Sequence, residues 1–214
     1  MRRTRAPAAG PAPVGGLGPR PAEARAAGFP VGGEPLAVDL VDTLITATDP
    51  PTDLLADGER ARAFWAFQAW RLPPGAAAPS LAATRALRAA IRALLEARLD
   101  GRQPPAEAVA AVNAAAAAAP TSPHLVLGAH GLAEQERWHA DDSRAWPLAA
   151  AARSAIELVA GSAADRLRRC ANPDCSMLFV AETARRQWCT PNICGNRARV
   201  ARHYRRHHGA PARA

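Results

Sequence analysis

Lysine is absent from this 214-residue chain, whose 27 basic residues are all arginine. With alanine and proline so abundant, that absence points to GC-rich bacterial coding rather than to a mechanism. Aromatic residues are scarce at 5%, although hydrophobic residues reach 49%. The core must then be built mainly from Leu, Val and Ala, a composition that suits helices. No window approaches the roughly 20 apolar residues that span a bilayer, which argues against a membrane protein. The opening residues carry arginines but no apolar h-region, so they do not read as a secretory signal. A soluble cytoplasmic protein is expected. Cysteine is confined to four positions, all between 170 and 194, and in a reducing compartment such a cluster is more often a metal site than a set of disulfides.

Charge is as unevenly distributed as cysteine. Residues 1–165 hold 16 arginines and 17 acids, a net of −1, whereas residues 166–214 hold 11 arginines against Asp174 and Glu182, a net of +9. The two sum to the chain's +8. A basic block of this kind is an electrostatic footprint for nucleic acid or another polyanion, because neutralised phosphates release condensed counterions. A solvated arginine tail has the same composition.

Along the chain, residues 1–34 read as a disordered Pro/Gly/Ala/Arg leader. Order is expected from "LAVDLVDTLITA", where Leu36, Leu40, Val41, Leu44 and Ile45 fall at helical spacing, the preferred reading, while Val38, Leu40 and the β-branched residues also allow a strand. Thr52 or Asp53 is placed to cap a short helix, and a helix from about Glu59 carries Phe64, Trp65, Phe67 and Trp70 toward the core. The segment 80–101 is the clearest helix: Ser80 caps it, Leu81, Leu87, Ile91, Leu94 and Leu95 share a side, and Gly101 ends it. Its Arg85, Arg88 and Arg92 stripe reads as a solvated face. A further helix follows the proline pair at 104–105. Residues 124–140 have the pattern of a β-hairpin with one exposed face, and His124, His130 and His139 within it lack ligand spacing. A helix with Pro147 in its first turn and Gly161 near its end leads to a boundary at 161–165.

The cysteines form two C-x4-C pairs, Cys170 with Cys175 and Cys189 with Cys194. Turn residues fill both gaps, so each pair can reach one ion, and four thiolates suit tetrahedral structural zinc. About 40 residues bury too little to fold alone, which explains why metal is needed here. Free thiols or a redox switch would use the same residues. The 13 residues between the pairs are sufficient for a short hairpin, with Leu178, Phe179, Val180 and Trp188 as a minimal apolar core. Beyond Cys194 the sequence reads as a helix with Arg199, Arg202 and Arg206 on one stripe and Arg197 and Arg205 on an adjoining one.

"CANPDC", "WC" and "CGNRARVARHYRR" together resemble the CGNR zinc finger, whose motif here is Cys194, Gly195, Asn196 and Arg197. In that family the finger follows a helical ABATE domain, and "LAVDLVDT" and "WPLAAAA" are similar to its pattern. The family commonly has Asn where this chain has Asp42. The resemblance implies one structural zinc ion on the four cysteines, DNA binding, and a role in stress-induced transcription regulation. The expected fold is mainly α with a small β-hairpin, plus a separate treble-clef-like or zinc-ribbon-like module. Its expected divisions are 1–34 leader, 35–163 helical domain, 164–208 zinc finger and 209–214 tail. The expected function is a non-enzymatic transcriptional regulator that binds duplex DNA, as a homodimer, through Arg197, Arg199, Arg202, Arg205 and Arg206. Asp39, Asp42 and Trp65 are candidates for a pocket taking a small-molecule effector. RNA binding or protein interaction through the zinc module is the alternative, and an enzyme using Asp39 and Asp42 is disfavoured for want of an acid/base pair beside a nucleophile.

Overall fold

The computed structural model describes residues 28–29, 33–128, 131–190, 194 and 200. Among these the fold is mainly α, with three two-stranded antiparallel sheets. Helix α1 (Leu36–Val41) begins after Pro35, which sets an extended entry, and all six of its residues are buried. It is the hub of the core, packed by α3 (Leu81–Leu99) and α5 (Ala145–Ala160), with α4 (Ala106–Ala117) closing the other side of both. Leu40, Val41, Ile91, Leu95, Val112, Ala152 and Ala155 meet in one apolar cluster. The many alanines let the helices approach closely, as the scarcity of aromatics implies.

The helix expected across residues 36–47 is shorter than its periodicity suggests. After Asp42 the chain forms β1 (Leu44–Ile45), paired with β2 (Thr52–Asp53). Neither Thr52 nor Asp53 caps a helix. Asp57 is the cap of α2 (Gly58–Gln68), its carboxylate accepting the Arg60 N–H at 2.8 Å. Along α2, Phe64 and Trp65 are buried, and Phe64 takes an edge contact from Phe29 at 5.8 Å between ring centroids. A 3₁₀ turn, Ala69–Arg71, ends this segment.

In α3, Ser80 accepts the Ala83 N–H at 3.2 Å, and Gly101 adopts φ +63° just beyond the last turn, a conformation that favours glycine. The arginine stripe of this helix is not a solvated face. Arg88 is 5% exposed and grips Asp53 through both terminal nitrogens, at 2.6 and 2.8 Å. Arg85 donates to the carbonyls of Leu55 and Ala56, and Arg92 to those of Val41 and Leu44. Irregular chain between α1 and α2 leaves carbonyls with no helical partner, and the arginines satisfy them.

Strands β3 (Thr121–Gly128) and β4 (Gly131–Trp138) form the expected hairpin, in register from Thr121↔Trp138 to Gly128↔Gly131. Its base is held to α5 by Arg153, which lies 4.4 Å from the Trp138 ring and donates to Thr121 and Glu136. Of its histidines, His124 is exposed, His139 meets the Ser122 hydroxyl at 2.8 Å, and His130 lies outside the described residues. Helix α5 stops at Gly161, where a Cβ would meet the Glu157 carbonyl oxygen at 2.3 Å. A 3₁₀ turn, Ala164–Arg166, then leads into β5 (Leu167–Arg169), paired with β6 (Leu178–Val180). Leu167 and Leu178 join the apolar cluster of the helices, so the C-terminal module shares part of its core with the helical domain. Phe29 and Glu34, within the segment expected as leader, are buried at 2% and 8% exposure.

Candidate metal centre

The first cysteine pair occupies the turn between β5 and β6. Asn172 shapes it: its backbone carbonyl accepts the Cys175 N–H at 3.0 Å, and its side-chain oxygen accepts the Asp174 N–H. Cys170 N–H bonds to the Met177 carbonyl, closing the hairpin across the loop. The second pair is brought over this turn by the chain from 181 to 190, anchored where Ala171 N–H bonds to the Gln187 carbonyl. Cys170, Cys189 and Cys194 are buried and Cys175 is half-buried. The four sulfurs lie within 4.8 Å of one another, and Sγ of Cys175 and Cys189 are 3.9 Å apart. Tetrahedral zinc with Zn–S bonds of about 2.3 Å has ligand–ligand edges of about 3.8 Å. The cluster therefore fits one zinc ion with little rearrangement.

The hairpin lies one segment earlier than the cysteine spacing suggests. In place of a hairpin within residues 176–188, β6 pairs back onto β5, and the metal loop is the hairpin's own turn. Strand alternation explains the outcome. Met177, Phe179 and Ala181 face the cysteines and, with Trp188, form their apolar wall, while Leu178 and Val180 face the helices. Leu178 and Val180 therefore do not belong to the core beside the metal.

Without metal, the thiols are electrostatically uneven. Cys175 is drawn down to about 5, chiefly by the hydrogen bond from Cys189. Cys189 rises because it is the donor in that bond, and Cys194 rises through burial. One thiolate surrounded by thiols suits cation capture, since zinc displaces the remaining protons. Asn172 Nδ2 lies 3.4 Å from the Cys194 sulfur and supplies a donor to it. A closed set of four thiolates leaves no position for a reactive water, so the chemistry it supports is structural.

The pocket candidates do not converge. Asp39 is ion-paired with Arg71, and burial, opposed by that arginine, raises its carboxyl to about 7. Asp42 accepts the Leu178 N–H at 3.0 Å through one oxygen and 3.2 Å through the other, and burial pushes its carboxyl well above the ordinary carboxylate range. Trp65 donates to the Thr84 hydroxyl at 3.1 Å and lines a cleft of about 260 Å³ with Arg62, Leu72, Pro74 and Pro147. Neither aspartate lines that cleft. Arg197, Arg199, Arg202, Arg205 and Arg206 lie outside the described residues.

Sequence reasoning misses Glu34 and Arg186. Glu34 follows a Gly-Gly pair in a stretch that reads as leader, and Arg186 is one of many arginines, so neither has a signal of its own. The structure joins them at 2.5 Å.

Two family models match the chain. That of ABATE, described as "Putative stress-induced transcription regulator", covers residues 34–162, and that of the CGNR zinc finger covers residues 166–207. No curated protein matches the chain. The second match assigns the four-cysteine cluster as a zinc centre for one ion.

Proposed function

The chain belongs to the ABATE family and carries a CGNR zinc finger behind that domain, and on that premise we propose that it is a transcriptional regulator that binds duplex DNA through its C-terminal module. The observation that carries the reading is positional. Cys194 completes the zinc centre and is followed at once by the arginine-rich segment that holds six of the 11 arginines in residues 166–214, whose net charge is +9. Zinc fixes the point from which that segment leaves the module. Arginines on phosphates position such a module, whereas sequence readout needs contacts to base edges. One finger has a small footprint, so operation as a homodimer follows from this reading.

The interior of the helical domain supports a regulatory rather than a catalytic role. Asp39 and Asp42 are buried and engaged by Arg71 and the Leu178 N–H, and neither lines the cleft beside Trp65. The cleft beside Trp65 is the place for a small-molecule effector on this reading. No helix among the described residues is long and apolar enough to cross a membrane, which accords with a cytoplasmic bacterial regulator.

The test is a salt series of binding to duplex DNA and to RNA of the same sequence. Zinc-loaded protein is expected to bind duplex with an affinity that falls steeply with salt, and each lost phosphate contact reduces the slope by about 1. Replacing Arg199, Arg202 and Arg206 with Ala should therefore flatten the slope by about 3 if each meets a phosphate. Unchanged affinity in that variant, or preference for RNA, would overturn the DNA reading.

A further inference from the structure

Strand β6 has only one strand neighbour among the described residues. The β5 edge is served by residues 179 and 181 and by Met177, as the bonds from Ala181 N–H to the Arg166 carbonyl and from Cys170 N–H to the Met177 carbonyl show. The opposite edge presents the Leu178 and Val180 N–H groups, and two carboxylates occupy the place of a third strand. Asp42 accepts from Leu178 N–H, and Glu34 accepts from Val180 N–H at 2.9 Å. These acids flank α1 on either side: Glu34 precedes it by two residues and Asp42 is its C-terminal cap. The helix at the hub of the domain core is thus fastened at both ends to the strand that follows the first cysteine pair.

Arg186 extends this fastening to the metal ligands. Its guanidinium donates to Glu34 Oε1, to the Val180 carbonyl at 3.1 Å, to the Trp188 carbonyl at 3.2 Å, and to the carbonyl of the ligand Cys189. It also lies 4.6 Å from the ring of Phe179, which is fully buried against the cysteines. One side chain therefore connects a buried carboxylate of the helical domain to the backbone of a zinc ligand. On the domain side, Arg71 donates to the Glu34 carbonyl at 2.6 Å and to Asp39, fixing the residue that holds Arg186.

We propose that Glu34, Asp42 and Arg186 form a latch that couples zinc occupancy of the finger to the stability of the helical domain. When the cysteines hold zinc, β6 and Arg186 are in place and both carboxylates have partners. When the metal leaves, the loop carrying Cys189 loses its anchor, β6 loosens, and two buried carboxylates lose their donors, which is costly in a low-dielectric interior. Coupling of this kind is reciprocal, so a change at α1 alters zinc affinity by the same factor by which zinc alters the helical domain. The latch is independent of whether the finger binds nucleic acid.

Competition for zinc with a chromophoric chelator, on the full chain, tests it. Asp42→Ala, Glu34→Gln and Arg186→Gln are expected to weaken zinc affinity by about tenfold, the lower end of the effect of removing groups that orient metal ligands. Val112→Ala, a buried change on α4 remote from the latch, should leave zinc affinity unchanged. In the reverse direction, stripping zinc should lower the melting temperature of the helical circular-dichroism signal, and by less in the latch variants. If Asp42→Ala does not fold, Glu34→Gln and Arg186→Gln carry the test, since Gln at 34 retains an acceptor for Val180. Equal zinc affinity in folded latch variants, an equal loss in Val112→Ala, or a melting temperature indifferent to chelation would each overturn the proposal.

Discussion

The helical domain and the cysteine module keep polar groups in their interiors by opposite means. Around α1 and α3 the protein buries Asp39, Asp42 and Arg88 inside a large apolar cluster and gives each a partner on a neighbouring element. In the module, the apolar wall among the described residues is Met177, Phe179, Ala181 and Trp188 beside the cysteines, and the polar groups it encloses are the four thiols, three buried and Cys175 half-buried. The first region tolerates buried charge because its packing is extensive. The second depends on metal because its packing is not.

The largest expected effect falls unequally on the two regions. Cys189→Ser or Cys194→Ser removes a ligand from a site whose apparent zinc free energy is about 10 to 16 kcal/mol in small modules. Metal analysis should show loss of zinc, and exchange protection should disappear from residues 167–190 while α3 and α5 remain protected. Loss of protection throughout would show that the module is a part of the core rather than a dependant of it.

A second prediction probes the helical side. Arg88→Ala strips Asp53 of its bidentate partner and should destabilise the chain by about 3 kcal/mol in chemical denaturation, with zinc content unchanged. Asp53 is a quarter exposed, which places the loss at the low end for a broken buried pair.

Buried acids give the helical domain a signature in pH. Asp39 holds its proton up to about 7 in the folded chain, while the free carboxyl loses it near 3.8. Between those values the unfolded chain binds fewer protons, so this group makes stability fall as pH rises from about 4 to about 7, with no further change above. Asp39→Asn should therefore gain on the wild type across that window, by up to about 1.4 kcal/mol for each pH step of one, in urea midpoints measured at pH 5 and pH 7.5. Asp53 acts with the opposite sign: Arg88 lowers its pKa, so its stabilisation is present above about pH 4 and lost as pH falls further.

The smallest effect comes from the exposed face of the same junction. Arg98 and Asp165 pair across it with side chains 40% and 88% exposed. Arg98→Ala should cost no more than about 0.5 kcal/mol and leave zinc affinity unchanged, in contrast with the latch. A larger loss would mean that the junction is held at its rim rather than by the buried edge of β6.

How much of this is legible in the sequence follows the same division. Periodicity locates α3, α5 and the 121–138 hairpin, because each is long enough for its pattern to dominate. The ligands are legible from their spacing and from the absence of any other cysteine. The pairing of β6 is not, because three-residue strands carry no period of their own and "SMLFV" fits a hairpin in either direction. Arg85, Arg88 and Arg92 read as solvated because a helical wheel shows which residues share a side and not which irregular loop covers that side. Glu34 and Arg186 are invisible for a related reason: what matters is the unpaired edge they meet, 146 residues away from Glu34 at Val180.

Metal content of the purified chain, paired with a count of reactive thiols, tests the central claim most directly. The account predicts one zinc per chain and thiols that react only after a chelator is added, with the near-ultraviolet signal of Trp188 changing at the same time. A metal-free chain with four freely reacting thiols and an unchanged Trp188 signal would contradict it.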